Sequence, residues 1–332
     1  MANNNFKAFA AAAGANVMAQ ADYEALAALL TGFVSGTAQS IQLNKVWRQS
    51  SIMAAVLAQF IVDITGQDAI DDGTTTTLLA NLKAAVLAQS VGVVGAVRNG
   101  RMYVAAASSS ATYTADEVIV ETVLGGLRYG IASLNKTVNL ATTGAGGMDT
   151  GSAPANGYVA LYAIYNPVTK VSALLATNAT SSVAPNVYGG ANMPAGYTAS
   201  ALLTVVPTNG SGQFKPVLVN DRSVSISLAT ALSSSTSQAS PTLLSISSIV
   251  PANAKSIRGE LQALSSAASQ LSVTVVADSV AQLSQQNITG QGGTAYTGNF
   301  AMDLAAQQQI YYTASNTNGT PSFGIYVVGY CI

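Results

Sequence analysis

Proline divides this chain in two. All nine prolines lie at or after Pro154. All four Asn-Gly pairs, Asn99-Gly100, Asn156-Gly157, Asn209-Gly210 and Asn318-Gly319, lie after residue 98, and thirteen of the fourteen tyrosines lie at or after Tyr103. Proline removes a backbone donor and locks φ, and Asn-Gly suits the left-handed backbone of tight turns. Tyrosine fits a pleated, half-buried surface. Residues 1 to about 92 are rich instead in Ala, Leu and Gln, which favour helix. The expected class is therefore α+β. A helical N-terminal oligomerisation and attachment module occupies residues 1–92, a first β-domain 93–222 and a second, distal β-domain 223–332. Both β-domains are expected to be β-sandwiches of jelly-roll-like form.

Within the helical part, Ala21–Leu30 predicts a short helix ending near Gly32. Ser40–Thr65 predicts a long one ending at Gly66, and Thr76 to about Gln89 a third, after the polar turn Asp68–Gly73. The long helix carries the clearest period in the chain. Val46, Met53 and Phe60 recur every seven residues, and Leu43, Ser50, Leu57 and Ile64 form a second row offset by four. Two such rows describe an a/d seam over three heptads, the pattern by which helices of separate chains pack together. Ser50 interrupts it, and Ala54 and Ile61 are expected to widen its apolar face. A helix packed inside its own small bundle is the competing reading.

In the β part, strands are expected at 112–122, 158–165, 171–176, 200–206 and 214–219, with the last two joined as a hairpin across PTNGSG. A Ser/Thr-rich stretch, Ser223–Ser240, is read as the separator before strands near 243–249, 271–276, 301–304, 309–313 and 323–330.

Composition limits the chemistry. The chain has no histidine and one cysteine, Cys331, so it holds no Ser-His-Asp triad, no histidine-ligated zinc and no internal disulfide. Thirteen basic and fourteen acidic side chains leave a net charge of -1, and the basic ones are scattered, which gives no footprint for nucleic acid. Charged residues are 8% of the chain, against about 25% in an average soluble protein. So low a charge favours association with copies of itself. The longest apolar stretch, Ile52–Val62, is broken by Gln59 and falls short of the ~20 residues of a membrane span. The start, MANNNFKAFAAAAGA, lacks the Leu- or Val-rich core of a secretion signal. No membrane insertion is expected.

Candidate sites are few. Gly144, Gly146 and Gly147, and the pair Gly189-Gly190, lack the lysine and flanking helix of a phosphate loop and are read as loop glycines. The carboxylates of the β part, Asp116, Glu117, Glu121, Asp149, Asp221, Glu260, Asp278 and Asp303, offer no obvious acid/base pair. Asp63, Asp68, Asp71 and Asp72 surround a turn without the closing glutamate of a calcium loop. The expectation is no enzyme, no cofactor and no metal site. Tyr188, Tyr197 and Tyr296 lie in Gly- and Asn-rich segments, where an exposed tyrosine stacks on a sugar and donates a hydrogen bond. They are the candidate receptor-binding residues, with ordinary loop packing as the alternative. Cys331, in YVVGYCI, is expected to be a buried, inert thiol.

The segments NNNFKAFAAAAGANVMAQADYEALAALLTGF, QLNKVWRQSSIMAAVLAQFI and GQDAIDDGTTTTLLANLKAAV together resemble the N-terminal module of tailed-bacteriophage tail proteins, tail fibres included. VNLATTGAGGMDTGSAPANGYVALYAIYNP and YGGANMPAGYTASAL are similar to β-domains that follow it. The resemblance implies a structural virion protein, made in the host cytoplasm and carried on the phage tail. It implies a homotrimeric tail fibre or receptor-binding protein. Its N-terminal helices would join the tail or baseplate proteins, and its C-terminal β-domains would meet a host surface glycan or outer-membrane protein. Two alternatives stay open: a baseplate, collar or capsid decoration component without host contact, and a polysaccharide depolymerase spike. The chain departs from the fibre pattern in being short, without a β-helical shaft or a histidine-rich tip.

Overall fold

A computed structural model describes residues 2–33, 35–36, 39–88, 92–291 and 294–332. The chain divides into two compact units, Met1–Val91 and Gly92–Ile332. It is mostly β, with two antiparallel sheets, and among the described residues its helices are confined to the first unit.

The first unit holds α1 (Gln20–Glu24), α2 (Ala28–Thr31), α3 (Ser40–Thr65) and α4 (Thr76–Ala88). The single helix expected at 21–30 is two short ones, because the chain tightens over Ala25–Ala27, with the Leu26 N–H on Tyr23 O. α3 ends at Gly66, whose left-handed φ of 67° turns the chain away while its N–H still reaches Val62 O. The residues before α1 run beside α3 without helical structure. Asn4 pairs with Ala69, the Asn4 amide donates to Ala55 O, the Phe9 N–H donates to Ser51 Oγ, and the Asn44 amide donates to Asn16 O. α4 packs on α3. No helix among the described residues is long and apolar enough to cross a membrane.

The second unit contains β1 (Val97–Arg98), β2 (Arg101–Val104), β3 (Ser110–Glu121), β4 (Arg128–Asn139), β5 (Tyr158–Asn166), β6 (Val171–Asn178), β7 (Ala199–Pro207) and β8 (Val217–Asn220). It continues with β9 (Ser223–Ser234), β10 (Gln238–Ser245), β11 (Ser256–Ser265), β12 (Gln270–Val276), β13 (Gln286–Gln291), β14 (Tyr296–Asp303), β15 (Gln309–Asn316) and β16 (Pro321–Cys331). Among the described residues twelve strands form one long sheet, in the order β14-β11-β16-β9-β8-β2-β3-β7-β5-β6, with β1 and β4 also on β3. The other four form a short sheet, β10-β15-β12-β13. The chain passes between the sheets at β9/β10, β10/β11, β11/β12, β13/β14, β14/β15 and β15/β16. β11 and β14 lie against β12 and β13, the packing of a sandwich.

The two β-domains expected at 93–222 and 223–332 share one compact unit. The boundary falls inside a hairpin: β8 and β9 pair through Asn220 and Ser223 around Asp221, whose φ is 51°. β9 then pairs with β16, so one ladder of hydrogen bonds runs through both halves. The supposed separator, Ser223–Ser240, is therefore mostly strand, β9 and the start of β10 joined by a short turn. The hairpin expected across PTNGSG is absent from the ladders. β7 pairs with β5 and β8 with β9 and β2, and the segments on either side of the turn meet only close to it, at the bridge Thr208–Phe214 and the bonds from Asn209 N–H to Gln213 O and from Lys215 N–H to Pro207 O.

One core runs through the unit. β7 is buried along its whole length and β5 along all but its last two residues. Strands covered on both faces show continuous apolar runs in place of alternation, and ALLTVV and VALYAI are such runs. The Tyr330 hydroxyl donates to Val205 O at 2.7 Å across the core, and the Tyr162 hydroxyl to Pro185 O at 2.8 Å.

Candidate functional site

α3 has two unlike faces. In a helix two residues lie about 200° apart, so Ser51 and Ala55 point away from Met53. The Ser51 side meets the chain's own N-terminal segment, with Phe9 and Trp47 edge to face at 5.8 Å. Ala58 and Ile61 are buried. Ile61 thus belongs to the face covered by its own chain and does not widen the seam. On the opposite face Met53, Val56 and Leu57 are 59%, 56% and 48% exposed, and Ser50 is exposed beside them. Leu43, Val46, Phe60 and Ile64 are half-buried. The a/d seam therefore keeps its outer four residues partly covered and its middle, Ser50, Met53 and Leu57, open to solvent. Ser50 turns its hydroxyl back onto Val46 O.

The tyrosines named as receptor-binding candidates rest partly on the core. Tyr188, Tyr197 and Tyr296 are each half-buried against it. The Tyr188 ring meets Tyr162 edge to face at 5.7 Å, and its hydroxyl donates to Asp149 at 3.0 Å while accepting from the Asn192 N–H. Burial raises the pKa of both phenols above the ordinary tyrosine value. The Tyr296 ring lies over Gly290, where a Cβ would strike it, and its hydroxyl donates to Gln291 O. The Tyr197 N–H closes a turn onto Pro194 O. The three do not converge: Tyr188 and Tyr197 precede β7, and Tyr296 opens β14.

Several of the carboxylates accept hydrogen bonds. Asp68 accepts the Asn3 N–H, Asp63 the Gln59 amide, and Asp72 both the N–H and the hydroxyl of Thr74, which lowers the Asp72 pKa. Asp221 accepts the Gly100 N–H and Asp116 the Asn99 amide. No group of three possible metal ligands occurs among the described residues. Gly144, Gly146 and Gly147 belong to a loop that bridges β4 and β6. The Asn139 N–H meets Gly146 O, the Gly146 N–H meets Leu174 O, and Met148 pairs with Ala176. Cys331 is half-buried where β16 lies between β11 and β9, opposite Ser256 and Ser223.

Sequence reasoning missed one ionic feature. Glu121, 3% exposed, holds Arg128 Nε at 2.6 Å and accepts the Gly125 N–H, tying the tip of the β3–β4 hairpin. The two lie seven residues apart across a turn, a spacing with no signature until β4 is known to fold back on β3.

Neither a protein-family model nor a curated protein sequence matches this chain. Among solved structures it is similar to the N-terminal CBM22-1-CBM22-2 tandem domain of Xyn10C from Paenibacillus barcinonensis. That match has 8% identity and a TM-score of 0.21, over 55% of this chain and 80% of that one. It is also similar to a Cry1Da tryptic core variant from Bacillus thuringiensis. There the identity is 8% and the TM-score 0.17, over 75% of this chain and 54% of that one. TM-scores of this size mark no shared fold.

Proposed function

We propose that this chain is a structural protein of a phage tail that assembles as a homotrimer through α3. The N-terminal helices attach it to the tail or baseplate, and the β unit contacts the host surface as a tail fibre or receptor-binding protein. The single observation that supports assembly is the open middle of the α3 seam. Met53 and Leu57 lie on one heptad stripe, exposed with Val56, on a helix whose opposite face its own chain covers. Burial of each such half-exposed side chain between copies contributes roughly 1 kcal/mol, and identical seven-residue stripes are self-complementary. The trimer number and the phage tail rest on the resemblance of the N-terminal segments. Three copies carried together let modest single-site affinities add up on a cell surface.

Sedimentation equilibrium of the full chain tests the reading. A mass three times 33.6 kDa is expected. Met53→Glu and Leu57→Glu together should reduce it to the monomer with the helical circular dichroism intact, since both positions are exposed. A monomeric parent chain, or a trimer indifferent to both charges, overturns the α3 assembly. Antibody labelling of virions tests the location: label on the capsid, or none on the tail, overturns it.

A further inference from the structure

The β unit contains a cavity of about 360 Å³ that the assembly reading does not use. Its walls are irregular segments held by specific hydrogen bonds. Asn253 clamps Ala184 with two bonds of 2.9 Å, one to its N–H and one from the amide to its carbonyl. The Leu202 N–H donates to Asn186 O. The floor is laced by backbone bonds: Lys255 N–H to Cys331 O, Leu304 N–H to Lys255 O, and Ile332 N–H to Arg222 O. The site is therefore preformed.

Two cations line it, Arg222 and Lys255, and no acidic side chain does. Neither is in an ion pair; among the described residues the one ion pair is Arg128–Glu121. Asp221, next to Arg222 in sequence, is turned to the Gly100 N–H. Arg222 has five donors, and its recorded bond is a long one, 3.5 Å from Nη2 to Gly95 O. Gly95 makes room for it. The residue has a φ of +74°, and a Cβ there would stand 2.6 Å from Nη2. A half-buried guanidinium with spare donors, a second cation and an apolar wall of Ala184, Pro185 and Leu202 form one concave surface.

We infer that this cavity binds a small organic carboxylate, of the size and chemistry of an acidic monosaccharide. The guanidinium fork matches a carboxylate's two oxygens, Lys255 adds a second charge at the mouth, and the apolar wall takes the body of the ligand. A cavity of this volume lies in the range of small-molecule sites. The inference is independent of whether α3 self-associates.

Titration calorimetry of the full chain with glucuronate, glucose and inorganic phosphate tests it. Saturable binding of glucuronate is expected, with none for glucose and weaker binding for phosphate. Arg222→Gln and Lys255→Gln should each weaken glucuronate about tenfold, the worth of one charge-assisted hydrogen bond. Lys255 is exposed, so its variant keeps the fold if the Arg222 variant does not. No saturable glucuronate binding, or binding unchanged in Lys255→Gln and in any folded Arg222→Gln, overturns the inference. Phosphate binding as tight as glucuronate overturns the organic carboxylate in favour of a bare oxyanion.

Discussion

At the scale of single residues, the core's polar groups divide into the satisfied and the orphaned. Tyr158, Tyr162 and Tyr330 each deliver a hydroxyl to a backbone carbonyl. Tyr113 and Thr204 are fully buried, and their hydroxyls have no partner among the described residues. A buried hydroxyl without a partner costs about 1–3 kcal/mol. Tyr113→Phe and Thr204→Val remove that penalty while keeping shape, so each should raise stability by about 1 kcal/mol in a urea melt. A loss of stability in both would mean that those hydroxyls are bonded. Composition foretold none of this, because all five residues look alike as strand residues.

At the scale of elements, the ends of α3 were legible and its orientation was not. Seven-residue spacing and Gly66 mark a helix from Ser40 to Thr65. Which flank faces inward depends on Asn4, Phe9 and Asn16, more than twenty residues upstream of their partners. The strands show the same split. β5 and β7 announce themselves by apolar runs, whereas β9, polar on one face, reads as spacer and β4 gives no strand signal. The β3–β4 hairpin depends on Glu121 and Arg128. Removing the cation leaves a buried charge unpaired, so Arg128→Ala should cost about 3 kcal/mol. The double change Glu121→Gln with Arg128→Met should recover most of it. A single variant within about 0.5 kcal/mol of the parent, measured by thermal and urea unfolding, would show that the hairpin does not depend on the pair.

For the whole molecule, charge poverty shapes the response to pH. No histidine is present, so no imidazole titrates in the physiological window. Burial raises the pKa of Tyr158, Tyr162 and Tyr330 above the ordinary tyrosine value of 10.0. The folded chain holds these phenols neutral, while the unfolded chain ionises them first. Stability is therefore fully present below the ordinary value and falls as pH rises past it. Calorimetric melting midpoints should be nearly flat from about pH 6 to 9 and drop above about 10. A midpoint that changes steeply near neutrality would contradict this account.

The sequence alone determined the class of each region: helix-forming Ala and Leu early, proline-punctuated strands later, a heptad stripe on the longest helix, and no histidine for imidazole chemistry. These are local properties, fixed by each residue's own backbone and side-chain preferences. The tertiary structure decided that two expected β-domains share one ladder, that Tyr188, Tyr197 and Tyr296 rest partly on the core, and that Arg222 and Lys255 line one cavity. Those outcomes depend on contacts between residues tens to hundreds of positions apart, and no local preference encodes which distant partner a strand or side chain will meet.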